Sequence, residues 1–251
     1  MILKLRDVSF AYRSETVLDD VTFEVHEGEL VAILGPNGVG KTTLLRCINA
    51  VLKPKLGSVL VDSEDIRHLH PTEVAKRIGY VAQKSESARL TAFDAILLGR
   101  KPYIRWNVSK HDMEIVDAAI NRLGLEHLML RYIDEMSGGE FQKVCIARAI
   151  VQEPKILLLD EPTASLDLKN QLDILGFIKH VVTGHGITGL MAVHDLNTAL
   201  RYSDRFLFMK EGRILAFGSI EEVTTHMIEE VYGVRVMLEE CRGHTVVIPV
   251  E

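Results

Sequence analysis

The chain has 251 residues, 47% hydrophobic and 25% charged, with a formal net charge of −6, an ordinary globular composition with enough apolar residues for a sizeable core. The acidic balance argues against a nucleic-acid partner, which would call for a basic stripe. No apolar run approaches the about 20 residues that cross a bilayer, and the opening MILKLRDVSF lacks a signal-peptide core. The chain is therefore expected in solution, or held at a membrane by other proteins. Cys47, Cys145 and Cys241 are odd in number and far apart, which predicts small buried hydrophobes with neither a metal nor a redox role.

The first forty residues alternate as antiparallel strands do: ILKLRDVSF, then VTFEV, the turn HEGE and the buried run LVAIL. GPNGVGKT, Gly35 to Thr42, follows that run and fits G-x-x-x-x-G-K-[ST] at every position. It lies between a buried strand and a helix predicted over residues 41–51, where a phosphate-binding loop belongs. The logic is anion binding. Gly35, Pro36, Asn37, Gly38, Val39 and Gly40 would turn backbone N–H groups onto phosphate oxygens, and the helix start at Lys41, Thr42 and Thr43 adds partial positive charge. Lys41 would reach the β- and γ-phosphates of a nucleotide, and the Thr42 hydroxyl would coordinate Mg²⁺.

Further strand-like runs follow at GSVLV, IGYV, ILLLD and TGLMAV, the later ones separated by helical stretches, the pattern of a largely parallel α/β sheet. Between Gln83 and Glu153 the strand signal vanishes. Met113, Val116, Ile120 and Leu123 keep helical spacing and give one apolar face, so residues 85–150 read as a helical subdomain inserted in an α/β core. That core comprises residues 1–84, including an N-terminal antiparallel β subdomain, and residues 151–230. FLFMKEGRILAFG reads as a hairpin turning at Glu211-Gly212, and residues 231–251 as a β tail with a small hairpin around Arg242-Gly243.

MSGGEFQKV, inside the helical stretch, looks like a helix start. Ser137 can cap it and Glu140 completes an S-x-x-E capping box. Yet Gly138 and Gly139 then occupy the first turn, at about 1 kcal/mol each relative to alanine. Stability alone would not place them there.

In ILLLDEP, four apolar residues form a buried strand whose C-terminal end presents Asp160 and Glu161, the edge where open α/β sheets place ligands. Asp160 would bind Mg²⁺, directly or through water, and Glu161 would orient and deprotonate the attacking water. Gln83 follows IGYVA and would carry its amide to the metal and the lytic water. His194 ends the TGLMAV run and would hydrogen-bond the γ-phosphate. Asp167 follows the acidic pair, with plain helix capping as its simpler role. Tyr12 would stack on the base, with a place in the core as its simpler role.

In this order the motifs resemble those of the nucleotide-binding subunits of ATP-binding-cassette (ABC) transporters, along essentially the whole chain. The resemblance implies an α/β P-loop NTPase (RecA-like) core and ATP as the nucleotide. Tyr12 corresponds to the aromatic A-loop residue, Gly35 to Thr42 to the Walker A loop, Gln83 to the Q-loop and Ser137 to Glu140 to the signature. Asp160 and Glu161 correspond to Walker B, Ser165 to Asp167 to the D-loop, and His194 to the switch histidine. Two such cassettes pair head to tail, so that Ser137, Gly138, Gly139 and Glu140 of one face the γ-phosphate held by the other. Met136, Ala82 and Val51 depart from the commonest residues of the family, away from any catalytic position.

The run DAILLGRKPY, together with VHDLNTALRYSDRFLFMKEGRILAFGS and EEVYGVRV, resembles the subfamily importing iron–siderophore, haem and cobalamin chelates. Some molybdate or tungstate importers share the first of these. The resemblance implies permease subunits as partners, an extracytoplasmic substrate-binding protein acting indirectly, and a place on the cytoplasmic face of the membrane. An exporter cassette and a non-transport ABC ATPase are the alternatives.

Overall fold

The computed structural model describes residues 1–83, 89–164 and 166–250. Strands β1 (Leu3–Tyr12) and β2 (Glu15–Val25) form an antiparallel pair; β4 (Leu56–Val61) joins β1, and the short β5 (Glu64–Asp65) follows, giving the order β2-β1-β4-β5. Alternation buries Leu3, Leu5, Leu18, Val21, Phe23 and Val59 on one face. Bulges in β1 after Leu5 and Val8 bend this sheet, which shares a core with α1 (Lys41–Ile48).

The central sheet holds β3 (Leu30–Leu34), β6 (Ile78–Val81), β7 (Ile156–Asp160), β8 (Thr188–Ala192), β9 (Arg205–Lys210) and β10 (Arg213–Ser219), in the order β10-β9-β3-β8-β7-β6. All its pairings are parallel except that of edge strand β10 with β9. LVAIL, read from sequence beside antiparallel neighbours, thus leaves them for the parallel sheet. Its five residues are all buried, as a continuous apolar run requires when helices cover both faces. Helix α1 ends at Ile48, short of Val51, because the chain turns through Asn49 and a left-handed Ala50 (φ 55°).

Helices α2 (Pro71–Arg77), α6 (Leu168–His185), α7 (Leu196–Tyr202) and α8 (Thr225–Tyr232) accompany the central sheet. Helices α3 (Ala92–Leu97), α4 (Lys110–Leu123) and α5 (Gly138–Ile150) enclose a hydrophobic cluster of their own, with Ala95, Ile96, Val116, Ile120, Leu128, Val144 and Ala147 buried together. On α4 the apolar face is narrower than its sequence spacing predicts. Met113 lies at its exposed edge, while Asp112 is buried against Arg100. Residues 85–88 of the predicted insert lie outside the described residues.

The tail forms the expected hairpin, β11 (Val236–Cys241) with β12 (His244–Pro249). Asn197 on α7 pins it, accepting from the Val247 N–H at 2.7 Å and donating to the Val247 carbonyl at 3.3 Å. Cys47 and Cys145 are buried, but Cys241, predicted buried, is exposed at the hairpin end. A two-stranded ribbon has an outer side that nothing covers. No helix among the described residues is long and apolar enough to cross a membrane.

Candidate functional site

At the C-terminal end of β3 the chain enters the phosphate loop through Gly35 (φ 150°), where a Cβ would stand 2.6 Å from the Met209 carbonyl oxygen. The loop closes at Gly40 (φ 112°), the N-cap of α1. Both conformations exclude ordinary side chains. As cap, Gly40 offers no side-chain acceptor, and the first turn of α1 carries no acid. The initial N–H groups of α1 are thereby left for an anion.

Lys41 is almost fully buried; its Nζ donates to the carbonyl oxygens of Gly35 (2.7 Å) and Pro36 (3.1 Å). Burial lowers its pKa, an effect countered by the nearby carboxylates of Glu161 and Asp160. The ammonium arches over the loop it belongs to. Val39 turns inward, buried at 7% exposure, while Pro36 and Asn37 stay exposed. Asn37, Gly38, Gly40, Lys41, Thr42 and Thr43 line a cavity of about 140 Å³ with Val17, Glu161 and His194. A larger cavity of about 600 Å³ between the end of α1 and α2 is lined by Val51, Leu52, Ile66 and Val74 and holds none of the predicted site residues. Chemistry, not volume, locates the phosphate site.

Across the cavity, β7 delivers Asp160. Thr42 donates to its Oδ1 at 3.0 Å and Tyr80 to its Oδ2 at 3.2 Å. At 1% exposure, burial pushes the Asp160 carboxyl above its usual range, while the two hydroxyl donors act in the opposite sense. A buried carboxylate facing a threonine hydroxyl is a hard oxygen donor set, suited to Mg²⁺, which binds through few protein oxygens and keeps water and phosphate for the rest. Asp160 and Thr42 thus fit that ion.

Glu161 follows with a left-handed φ of 51°, a conformation costing a non-glycine residue about 1–2 kcal/mol. Its side chain is held at both oxygens. Gln83 donates to Oε2 at 2.5 Å, and His194 Nε2 meets Oε1. Strain of this kind persists only where surrounding contacts hold it in place. The fold thus brings together Gly35 to Thr43, Gln83, Asp160, Glu161 and His194.

Tyr80 and Arg46 escaped the sequence reading. Arg46 lies four residues after Thr42, on the same face of α1, and its guanidinium is raised in pKa by hydrogen bonding to Tyr80 and, less, to Tyr12. The i, i+4 spacing from the phosphate-loop threonine was the available signal. Tyr12 is 44% exposed, with its ring edge-on to Phe10 at 4.8 Å, leaving it open to solvent rather than in the core.

Ser137, Gly138, Gly139 and Glu140 do not line the phosphate cavity. They begin α5, where the predicted capping box is complete. Glu140 N–H donates to Ser137 Oγ at 3.4 Å, and Ser137 N–H and Oγ–H donate to Glu140 Oε2 at 2.8 Å each. Those donations hold the Glu140 carboxyl below its usual range. Asp167 has the capping role, accepting from the Asn170 N–H at 2.8 Å and from the Asn170 side-chain amide at 2.9 Å. Ser165, read as part of the D-loop, lies outside the described residues.

A glycine-lined phosphate cradle at the C-terminal edge of a parallel sheet, with a buried aspartate for the metal and a second carboxylate beyond it, defines a P-loop nucleoside triphosphatase. Residues 18–164 match the ABC transporter family. An uncharacterised ABC transporter ATP-binding protein of Methanocaldococcus jannaschii is 52% identical over 100% of this chain and 98% of its own. The ferric enterobactin transport ATP-binding protein of Escherichia coli is 37% identical over 98% of this chain and 93% of its own. Among solved structures, a metal-chelate type ABC transporter in an inward-facing conformation superposes with a TM-score of 0.86 at 26% identity, over 100% of this chain and 97% of that one. The chain belongs to the ABC transporter family as an ATP-binding subunit, an ATPase whose hydrolysis is coupled to transport.

Proposed function

We propose that this chain energises a membrane importer of metal chelates of the iron–siderophore, haem or cobalamin type, working as a head-to-tail pair of identical cassettes at the cytoplasmic face. The observation that carries the pairing is the separation, within one chain, of two half-sites. The phosphate loop has a catalytic carboxylate but no signature residues, and the signature helix start has open N–H groups but no phosphate loop. A two-fold pair would complete both at once. The cargo class rests on the relatives described above and on the DAILLGRKPY run.

In this reading Mg²⁺, held by Thr42 and Asp160 and assisted by Gln83, would neutralise phosphate charge. Lys41 and the loop N–H groups grip the nucleotide, with Tyr12 against its base. Glu161 accepts the proton of the attacking water, and its grip by Gln83 and His194 sets where that proton is taken. His194 lines the cavity and reaches the γ-phosphate when it leaves Glu161. Ser137, Gly138 and Gly139 of the second copy stabilise the charge developing on the transferred group, and their Glu140 keeps the helix start capped. Asp167 holds the N-terminus of α6 beside that interface.

Permease subunits are the direct partners, and a binding protein outside the membrane delivers cargo to them. The test is reconstitution of the chain with its permease in vesicles. ATP-dependent uptake of a ferric siderophore, haem or cobalamin supports the reading, and uptake of none of them, with ATP hydrolysis intact, refutes the cargo class.

A further inference from the structure

A groove of about 410 Å³ lies on the molecule away from the phosphate site, lined by Ile115, Ala118 and Arg122 of α4, Ile150 at the end of α5, and Phe177 and Val181 of α6, among others. The size falls in the range of small-molecule sites, and the lining is chiefly apolar with few polar groups. Arg122 belongs to that lining and is exposed to solvent. Its Nη1 donates to His185 Nε2 at 2.8 Å and its Nη2 to His180 Nε2 at 2.6 Å. A guanidinium only donates, so the rings are its acceptors in these two contacts. Among the described residues no carboxylate lies within ion-pairing distance of the Arg122 guanidinium, whose hydrogen-bond partners are those two rings.

Six arginines, Arg67, Arg77, Arg100, Arg131, Arg205 and Arg213, pair with a carboxylate; Arg122, exposed on α4, is one of those that do not, in a protein of net charge −6. Glu153, the acid lining the groove, is already bound to Arg100 at 2.7 Å. An arginine with no carboxylate partner among the described residues thus lines an apolar groove. Its complement is a molecule with one anionic head and an apolar body.

We propose that this groove is a binding site for amphipathic monocarboxylates, the carboxylate on Arg122 and the apolar portion along Phe177, Val181 and Ile150. The occupant would bridge α4 and α6, tying the inserted helices to the core. Nothing in the phosphate chemistry requires this site, so it stands or falls apart from the transport assignment.

The test is isothermal titration calorimetry with decanoate below its micellar concentration, beside decanol as an uncharged comparator of the same length. Decanoate is expected to bind saturably, one per chain, and decanol about tenfold more weakly or less, since a charge-assisted hydrogen bond distinguishes them. Arg122→Gln should weaken decanoate about tenfold and leave decanol unchanged. Ala118→Trp, at an exposed position on the groove wall, should abolish both while the thermal unfolding midpoint and ATP binding stay as in the parent. Absence of saturable decanoate binding, equal affinity for the two probes, or binding that survives both variants would overturn the proposal.

Discussion

Gly139 lies against Asn170: a Cβ added to this glycine would stand 3.0 Å from the Asn170 side-chain amide carbon. Gly138, one residue earlier, is different, since a Cβ there would meet only the Leu166 methyl at an ordinary 3.7 Å. Packing within the chain therefore explains one of the two costly glycines and leaves the other to the two-fold pairing proposed above. Gly138→Ala should keep or raise stability, by up to about 1 kcal/mol. Gly138→Asp should fold and bind ATP yet lose hydrolysis by at least about tenfold, since in the proposed pair it would place a charge against the γ-phosphate of the second copy. Urea denaturation and steady-state phosphate release measure the two effects. Normal turnover by Gly138→Asp would dismiss the two-chain site.

Glu161→Gln keeps the shape of the side chain and removes its basicity. ATP binding should persist and hydrolysis fall by about 10²–10⁴-fold, the usual contribution of a positioned base. With ATP and Mg²⁺ the variant should elute as a dimer in size-exclusion chromatography. Native turnover by this variant would show that the proton goes elsewhere.

Asp112 and Arg100 form a buried pair at 2.9 Å, and the guanidinium also donates to the Val151 carbonyl at 2.7 Å and stacks on Tyr103 at 4.1 Å. This ties α4 and the turn after α3 to the end of α5. Asp112→Ala would remove one of the two carboxylates on Arg100 and leave Glu153 at 2.7 Å, at a cost of about 1.5–3 kcal/mol for the lost charge-assisted hydrogen bond. The Ser109 hydroxyl and Arg100 hold the Asp112 carboxyl down at about 2, from an ordinary 3.8. Because the folded pKa is the lower one, this stabilisation is complete above about pH 4 and disappears as the pH falls towards 2. The urea midpoints of the parent and Asp112→Asn should therefore converge over that interval. A gap that stays constant from pH 7 to pH 2.5 would contradict it.

Trp106 is 93% exposed in the loop after α3, with Leu98 at 51% and Val108 at 41% nearby in sequence. An indole so far from any core contributes little to folding, and in the importer proposed above we place it at the permease contact. Trp106→Ala should leave the stability of the isolated chain within about 0.5 kcal/mol and its ATP affinity unchanged. Recovery of the permease in a pull-down should fall. Full recovery would move the permease contact elsewhere.

What could be read from the residues alone was local. The loop at Gly35 to Thr42 and the cap formed by Ser137 with Glu140 follow from backbone preferences and short-range hydrogen bonds within a few positions. The hairpin at Glu211-Gly212 was legible for the same reason. So was the burial of ILLLD, since a run apolar at successive positions has no wet face to offer. Sequence motif order was enough to point to the family, which residues 18–164 match. It was not enough to say what touches what.

Contacts between distant residues were decided by strand order. Thr42 reaches Asp160 across 118 positions because β3 and β7 flank β8 in one parallel sheet. Gln83 and His194 close on Glu161 because β6, β7 and β8 end at the same edge. LVAIL was assigned to the wrong neighbours because an apolar strand carries no label for its partner. Arg100 with Asp112, Gly139 with Asn170, and Arg122 between His180 and His185 were likewise invisible in sequence. Local chemistry is written in neighbouring residues, whereas the pairing of remote side chains is a consequence of packing helices and strands into one core, and only that packing decided it.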